Sequence, residues 1–413
     1  MRKILFIALL LIIPSLVKAQ TAPTCNYHAT TATFSSDLAA ATPGQTVCLA
    51  PGNYGSFSGV SKSGMVTIMS DASTGGTQAN VIFSGANFGG GTWYNTLQNM
   101  TIGGGGVGTG SAAALHVHFV QVMFTGPVCI NTPTNVNQDT LIDQSYFGGV
   151  GQSCTEGRLG IDGDNVNHTV ANGIVISNTT FNGPTSGSNG ADGIQINGGA
   201  YGTYIGPGNT FSNIVETYCG SVHCDGIQFY GATNTTVDSN FFINDSDGIM
   251  TPDCNGSPMT VTNNVFIQNN GSATNELVIG GGHGDLISHN TFSTINGTAP
   301  RFGNPNSCGL NTNEVITNNI LPSGIDLTEG QSTSSFTMSN NLCSETCGFG
   351  SNNLAGTPTY VGGSLTSIYN GFALTPTSIG YNKASDGKNI GINIATPIAG
   401  SPAPPTDIQV VVQ

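Results

Sequence analysis

The sequence predicts an all-β solenoid, a stack of coils in which short strands wind around one elongated core. Three observations predict it. First, Phe124, Phe147, Phe181, Phe211, Phe242, Phe266, Phe292, Leu321 and Cys343 form a column with steps of 22 to 34 residues, most of its members following an Asn-x pair. Second, Asp192, Asp225, Asp247 and Glu276 form another column that stays in phase, each acid preceding its Phe by 16 to 19 residues. Third, the 413 residues include 59 glycines and abundant Asn, Thr and Ser, while Lys, Glu and Leu are scarce. Units of this length cannot each bury an apolar face alone, so they must stack. Without intervening helices each unit is a β coil, and stacking makes its sheets parallel, with equivalent residues about 4.8 Å apart along the axis. The Phe and Asn columns then read as interior stacks and turn ladders.

At the N-terminus, Arg2 and Lys3, an apolar run over Ile4–Ile13 and the small-residue site Val17-Lys18-Ala19 read as a secretory leader over residues 1–19. No later stretch is long and apolar enough for a transmembrane segment. Phe34, Leu38 and Ala41 then fall at helical spacing, with Ser35 or Ser36 available as a cap. Pro43-Gly44 ends the helix, Thr46–Ala50 is a strand, and Pro51-Gly52-Asn53-Tyr54 follows. This phrase resembles the N-terminal cap and first coil of right-handed parallel β-helix proteins of the pectin-lyase-like superfamily. The resemblance implies a single-stranded right-handed parallel β-helix with a short N-terminal capping helix. Phe372–Asn393 resembles the closing segment of many bacterial β-helix proteins. One β-helix domain is therefore expected over 20–395, followed by a Pro- and Ala-rich tail at 396–413.

Charge narrows the function. The chain carries 22 acids and eight bases, a formal charge of −14; without Arg2, Lys3 and Lys18 five bases remain, about −17. Such a surface repels nucleic acid and acidic polysaccharide unless cations intervene, so nucleic-acid binding is excluded and a neutral polysaccharide is the expected partner. Ten cysteines in an exported chain point to disulfides. Cys25 with Cys48, Cys129 with Cys154, and Cys343 with Cys347 are local pairs; Cys219, Cys224, Cys254 and Cys308 stay open. The expected location is secreted or extracellular.

The phrase Asp-Gly-Ile recurs at Asp192, Asp225 and Asp247. Ile194, Ile196, Ile227, Phe229 and Ile249 must point inward, which leaves Gln195, Gln228 and Met250 on the outer face. Strict alternation would bury the Asp side chains as well, and a bare carboxylate in an apolar coil is costly. A bend at Asp-Gly that turns the carboxylate outward is therefore expected, with Gly permitting it. Asp162 fits the spacing, but Asp164 occupies the position where an inward Ile belongs, so Asp162 is left out of the column. His223 and Asp245 lie two residues before Asp225 and Asp247, placing four titratable groups on adjacent coils. Stacked carboxylates raise a pKa or recruit a cation. The first outcome serves a hydrolase and the second, a shared Ca²⁺, a lyase. The alternative is that Asp-Gly only forms turns.

Asp225-Gly-Ile, Asp245-Ser-Asp247 and Gly282-His283-Gly284 are similar in part to the β-helical polygalacturonases, glycoside hydrolase family 28. The resemblance implies Asp245 or Asp247 as general acid, Asp225 and the other activating water, and His283 orienting the site. Ser246 interrupts the acid pair, and the Arg-Ile-Lys of that family is absent. A lyase needs a cation or strong base, and neither Arg158 nor Arg301 falls in register with the cluster.

The expected function is thus a polysaccharide-acting enzyme, a glycoside hydrolase before a lyase. Asp225, Asp245, Asp247 and His223 are the catalytic candidates, and Gln195, Gln228, Met250, Asp192 and His283 the substrate contacts. A non-catalytic glycan-binding or adhesion protein and a Ca²⁺-dependent lyase are the alternatives. His116 and His118, alternating in ALHVHFV, share a strand face and could bind metal, with no third ligand evident. Trp93-Tyr94 is either a sugar platform or a core stack.

Overall fold

The structure, a computed structural model, describes residues 24–148, 151–164, 168–187, 190–220, 223–251, 257–268, 275–294, 299–303, 308–363 and 366–394. The leader read over 1–19 and the tail read over 396–413 lie outside these residues. No described helix is long and apolar enough to cross a membrane.

Two long sheets, of 21 and 11 strands, are built from parallel ladders between successive coils. A typical coil gives two legs to the larger sheet and one strand to the smaller, as in Ile174–Ser177, Thr180–Asn182 and Asp192–Asn197. The chain is the expected single-stranded right-handed parallel β-helix. Between the two legs the chain turns on one left-handed residue per coil, among them Asn178, Asn263, Asn318 and Asn340, with φ of 47 to 61°. Asn tolerates this region because its short side chain bonds locally.

The residue immediately after this turn is where the columns meet. Asn209, Asn240, Asn264, Asn290, Asn319 and Asn341 are buried, and each Nδ2 donates to the Oδ1 of the next at 2.8–3.1 Å. Two residues on, Phe124, Phe147, Phe181, Phe211, Phe242, Phe266 and Phe292 stack with centroids 4.5–4.9 Å apart and planes within 20°. Leu321 and Cys343 continue that column in the core, so the whole predicted column holds. Offset-stacked rings add about 0.5–1.5 kcal/mol per pair beyond the area they bury.

Helix α1, Phe34–Ala40, covers the N-terminal end with Leu38 buried. Its cap is Thr33, which makes no side-chain cap bond, and not Ser35 or Ser36. Lys62 instead serves the other end, its Nζ donating to the carbonyls of Leu38 and Ala41 at 2.6 and 2.7 Å, where the helix dipole favours a cation. The three local disulfides form as expected, and Cys219 pairs with Cys224. Cys308 is also disulfide-bonded; Cys254 lies outside the described residues.

The C-terminal stretch does not extend the stack. Tyr360, Phe372, Leu374, Ile390 and Ile392 pack on Phe241, Val265, Ile267, Ile320 and Leu342 in a second core. Tyr369 Oη donates to Asn263 O at 2.5 Å and Gly391 N to Asn318 O at 2.7 Å, pinning the segment across several coils.

Candidate functional site

The smaller sheet carries the Asp-Gly-Ile phrases. Its central strands are β1 (Gly157–Gly163), β2 (Asp192–Asn197), β3 (Asp225–Tyr230), β4 (Asp247–Thr251), β5 (Leu277–Gly280) and β6 (Arg301–Gly303). Ile194, Ile196, Ile227, Phe229 and Ile249 face inward and are fully buried. The residues between them form one outer row, Gly160, Gln195, Gln228, Met250, Val278, Arg301 and Asp326, in register across seven coils.

The bend at Asp-Gly is present. A Cβ on Gly193, Gly226 or Gly248 would come within 2.9–3.0 Å of the ring of Phe211, Phe242 or Phe266, so each glycine faces the Phe stack just before its inward Ile. Two successive inward positions break the alternation, and only a residue without a side chain fits there. The expectation that the bend exposes the carboxylates is corrected. Asp192, Asp225, Asp245 and Asp247 are 0%, 0%, 2% and 5% exposed. The chain between each Phe leg and its β strand folds over the corner: Ser246 N donates to Ile214 O at 2.8 Å, and Glu216 N to Ser246 Oγ at 2.9 Å.

Under that cover the acids bond backbone. Asp192 Oδ1 accepts from Asp225 N, Asp245 Oδ1 from Ile214 N and Asp247 Oδ1 from Asn275 N, at 2.9–3.1 Å. Both oxygens of Asp225, Oδ2 of Asp192 and Oδ2 of Asp245 have no hydrogen-bond partner. Burial pushes the Asp192 carboxyl up to about 8. It drives Asp225 and Asp245 well above the usual carboxylate range, with Asp192 and Asp247 adding repulsion at Asp225. Burial thus favours the protonated form of each, while the nearby Arg158 cation works against it at Asp192 and Asp245.

Three further placements differ from the sequence reading. Glu276 is not in the Asp column: Ile249 lies opposite Leu277, so Glu276 falls opposite Gly248, where burial raises it well above the usual range. His223 stands apart from the acids, 62% exposed, with Nδ1 2.7 Å from Glu216 Oε1. His283 follows the end of β5, whereas the Asp residues begin their strands; it is exposed and bonds Thr312 Oγ1 at 2.7 Å.

Arg158, read as out of register, lies at the cluster. It follows Gly157, which is opposite Asp192, and its buried guanidinium donates from Nη1 to Asn182 O at 2.5 Å. Desolvation lowers its pKa to about 10, opposed by the charges of Asp245 and Asp192, so it stays cationic at neutral pH.

The outer row is partly covered. Segment 151–157, tied down by Cys129–Cys154, lies against β1, since a Cβ on Gly160 would strike Ser153 and Thr155. Glu156 N donates to Gln195 Oε1 at 2.5 Å and Gln195 Nε2 bonds Gln228 Oε1, leaving both glutamines buried. Met250 is half-buried. The open part of this face is the neighbouring row Asn131, Asp162, Asn197 and Tyr230, with Tyr230 50% exposed, together with Arg301. Asp162 thus belongs to the outer face and not to the buried column. Arg301 Nη2 bonds Glu329 Oε1 at 3.2 Å.

A second buried pair has no sequence signal. Asp285 N donates to Glu314 Oε2 at 3.0 Å, Ser257 Oγ and Met259 N donate to Asp285 at 2.8 and 2.7 Å, and the two carboxyls bond each other. Burial and the charge of Asp285 push Glu314 up to about 9, so one proton is shared. The partners stand one coil step apart, and nothing in either local phrase marks them.

For a metal, only Cys25, His28 and Asp71 among the described residues bring three candidate ligand atoms within 4.8 Å of one another, and Cys25 is in a disulfide. The oxygens of Asp225, Asp245 and Asp247 do not converge that closely. Trp93 packs edge-on against Phe88, while Tyr94 stacks on His116.

The parallel β-helix fold is shared with solved polysaccharide lyases. The chain is similar to the PL6 family alginate lyase AlyGC (TM-score 0.52, 16% identity), covering 88% of this chain and 58% of that one. It is similar to a mannuronic acid specific polysaccharide family 6 lyase from human gut microbiota (TM-score 0.51, 13% identity), covering 90% of this chain and 92% of that one. At these identities the likeness shows the fold alone, a parallel β-helix, and gives no support to the resemblance to glycoside hydrolase family 28. The chain spans less than two thirds of the length of AlyGC. No family model matches the chain, and no curated protein does.

Proposed function

We propose that the chain is a secreted polysaccharide-acting protein that takes its glycan along the outer face of the smaller sheet, and that its chemistry is β-elimination. The observation that carries this reading is the open row of Asn131, Asp162, Asn197 and half-exposed Tyr230, with the Arg301 guanidinium on the same face. An exposed ring stacks on a sugar, and an Arg fork pairs with a uronate carboxylate in two parallel bonds. Likeness in fold to the PL6 lyases supports elimination before hydrolysis. So does the burial of Asp225, Asp245 and Asp247, because a glycosidase needs an accessible carboxyl pair flanking the bond it cuts.

The expectation of a neutral glycan loses part of its force. It rested on total charge and the scarcity of cations, and burial raises the carboxyls of Asp192, Asp225, Asp245, Glu276 and Glu314, favouring their uncharged form. Net charge is therefore less negative than the formal count, about −17 without the leader. A second reading, glycan binding without turnover, is favoured by the engagement of Arg301 with Glu329.

The test is incubation of the full chain with alginate, polymannuronate, polygalacturonate and neutral glycans, with and without Ca²⁺. Unsaturated ends are read by ultraviolet absorbance, reducing ends by a chemical assay, and binding separately. Unsaturated products from a uronate, reduced about tenfold or more in Arg301→Ala and Tyr230→Ala, are expected. New reducing ends without unsaturation would restore hydrolysis. Binding without product would leave the second reading, and neither binding nor product from any glycan would sink both.

A further inference from the structure

We propose that His116, His118 and Asp139 form a binding site for a divalent transition-metal ion of the zinc class, on the corner of the solenoid where the smaller sheet passes into the larger. The two histidines alternate in ALHVHFV. The structure supplies the third donor from the next coil: His116 Nδ1 lies 2.7 Å from Asp139 Oδ2 and His118 Nε2 3.2 Å from Asp139 Oδ1.

Backbone geometry makes this meeting. His116 sits in a break of register between Leu115 and Val117, with φ of 59°, which swings its ring toward the next coil. Its row is a turn row. Further along the stack the same position is held by Gly173, Gly202, Asn234, Gly284 and Asn313, residues suited to positive φ, with Pro258 the exception. Only at this end is it held by Tyr94, His116 and Asp139, with φ of 55, 59 and 48°. A bulky residue in the left-handed region is strained, and such positions cluster at functional sites. Tyr94 also stacks flat on His116, centroids 4.0 Å apart and planes 7° apart, fixing the orientation of that imidazole.

Two imidazole nitrogens and one carboxylate suit Zn²⁺ and its neighbours far better than Ca²⁺ or Mg²⁺, with a water completing the tetrahedron. The imidazoles bond different oxygens of Asp139, so the three donors do not yet close on one point. Each of these bonds holds a proton that an entering cation would displace. Asp139 is 51% exposed, while the rings are each only about a quarter exposed, so closing on one cation asks for a turn of the exposed carboxylate. Elsewhere among the described residues each His–acid pair has one imidazole, as in His28–Asp71, His223–Glu216 and His289–Asp386.

Zn²⁺ titration of the full chain by calorimetry, with Co²⁺ followed by its visible absorption, tests the site. One Zn²⁺ per chain is expected, with affinity at least tenfold lower in His118→Ala and Asp139→Asn and unchanged in His28→Ala. Zn²⁺ should raise the melting temperature of the parent and His28→Ala proteins but not of the other two. Absence of Zn²⁺ binding, or binding indifferent to both substitutions, would overturn the proposal. If His118→Ala fails to fold, Asp139→Asn, isosteric and exposed, decides alone.

Discussion

Asp225 and Asp247 stand directly opposite one another in the ladder between β3 and β4, both buried, with neither oxygen of Asp225 hydrogen-bonded. Two facing carboxyls out of water cannot both ionise at neutral pH. The folded corner therefore holds protons that the unfolded chain releases, and this has a measurable sign. Asp192, on the same corner, is pushed up to about 8 by burial, against about 3.9 for an unfolded Asp. Between those values the folded state binds more protons, so stability falls as pH rises, by up to about 1.4 kcal/mol per pH unit for each such group. Its contribution is complete below about pH 4 and gone above about pH 8. The guanidinium midpoint should fall steadily from pH 5 to pH 8. Asp192→Asn, which keeps an oxygen to accept from Asp225 N, should flatten the slope. A midpoint constant or rising over that range would contradict the prediction.

The contrast between the Phe and Asp columns shows how far the sequence could be read. Phe181, Phe211 and Phe242 stack as expected because period and polarity agree: a ring after an Asn turn can only point inward. The bend at Gly193, Gly226 and Gly248 was legible for the same reason, since a carboxylate could not follow the alternation. What lies over the corner was not. The segment around Glu216, Cys219 and Cys224 is inserted between a Phe leg and its strand, and a periodic pattern says nothing about where an insertion packs. That is why the acids were placed on the surface and His223 beside them. Arg158 and the Asp285–Glu314 pair were missed because their partners lie on other coils. The third donor to His116 and His118 was likewise one coil away.

Asn264 is, with Asn319 and Asn341, one of the fully bonded rungs of the asparagine ladder. Its Nδ2 donates to Val237 O, Thr262 O and Asn290 Oδ1, and its Oδ1 accepts from Asn240 N and Nδ2. Asn264→Ala would strand several buried groups at about 1–3 kcal/mol each. A loss of about 3 kcal/mol or more is expected in denaturant unfolding, larger than for exposed Asn352→Ala. Equal effects would show that the ladder adds nothing beyond turn propensity.

The ring stack should tolerate shape better than loss. Leu321 occupies the same column as Phe211, so Phe211→Leu is expected to cost under about 1.5 kcal/mol. Phe211→Ala opens a cavity between Phe181 and Phe242 and should cost about 3–5 kcal/mol. Chemical denaturation of both variants gives the comparison, and similar losses would mean that the rings are not close-packed.

The segment over Gln195 and Gln228 is held by a disulfide whose cysteines are 25 residues apart, with Cys129 in the same outer row as Gly160 and Gln195. A closed loop of that length contributes about 3 kcal/mol against opening. The double variant Cys129→Ser with Cys154→Ser should therefore let residues 151–157 lift. Trypsin reads this directly. Beyond the leader the chain has only five Lys and Arg residues, and Arg158 is buried at the foot of the segment. The parent protein should resist cleavage after Arg158, while the variant should be cut there first. The variant also tests the groove, because lifting the segment uncovers both glutamines. If Gln195 and Gln228 contact glycan, the variant binds more tightly and Gln228→Ala in that background reverses the gain. Unchanged binding would confine the glycan to the row of Asn197 and Tyr230.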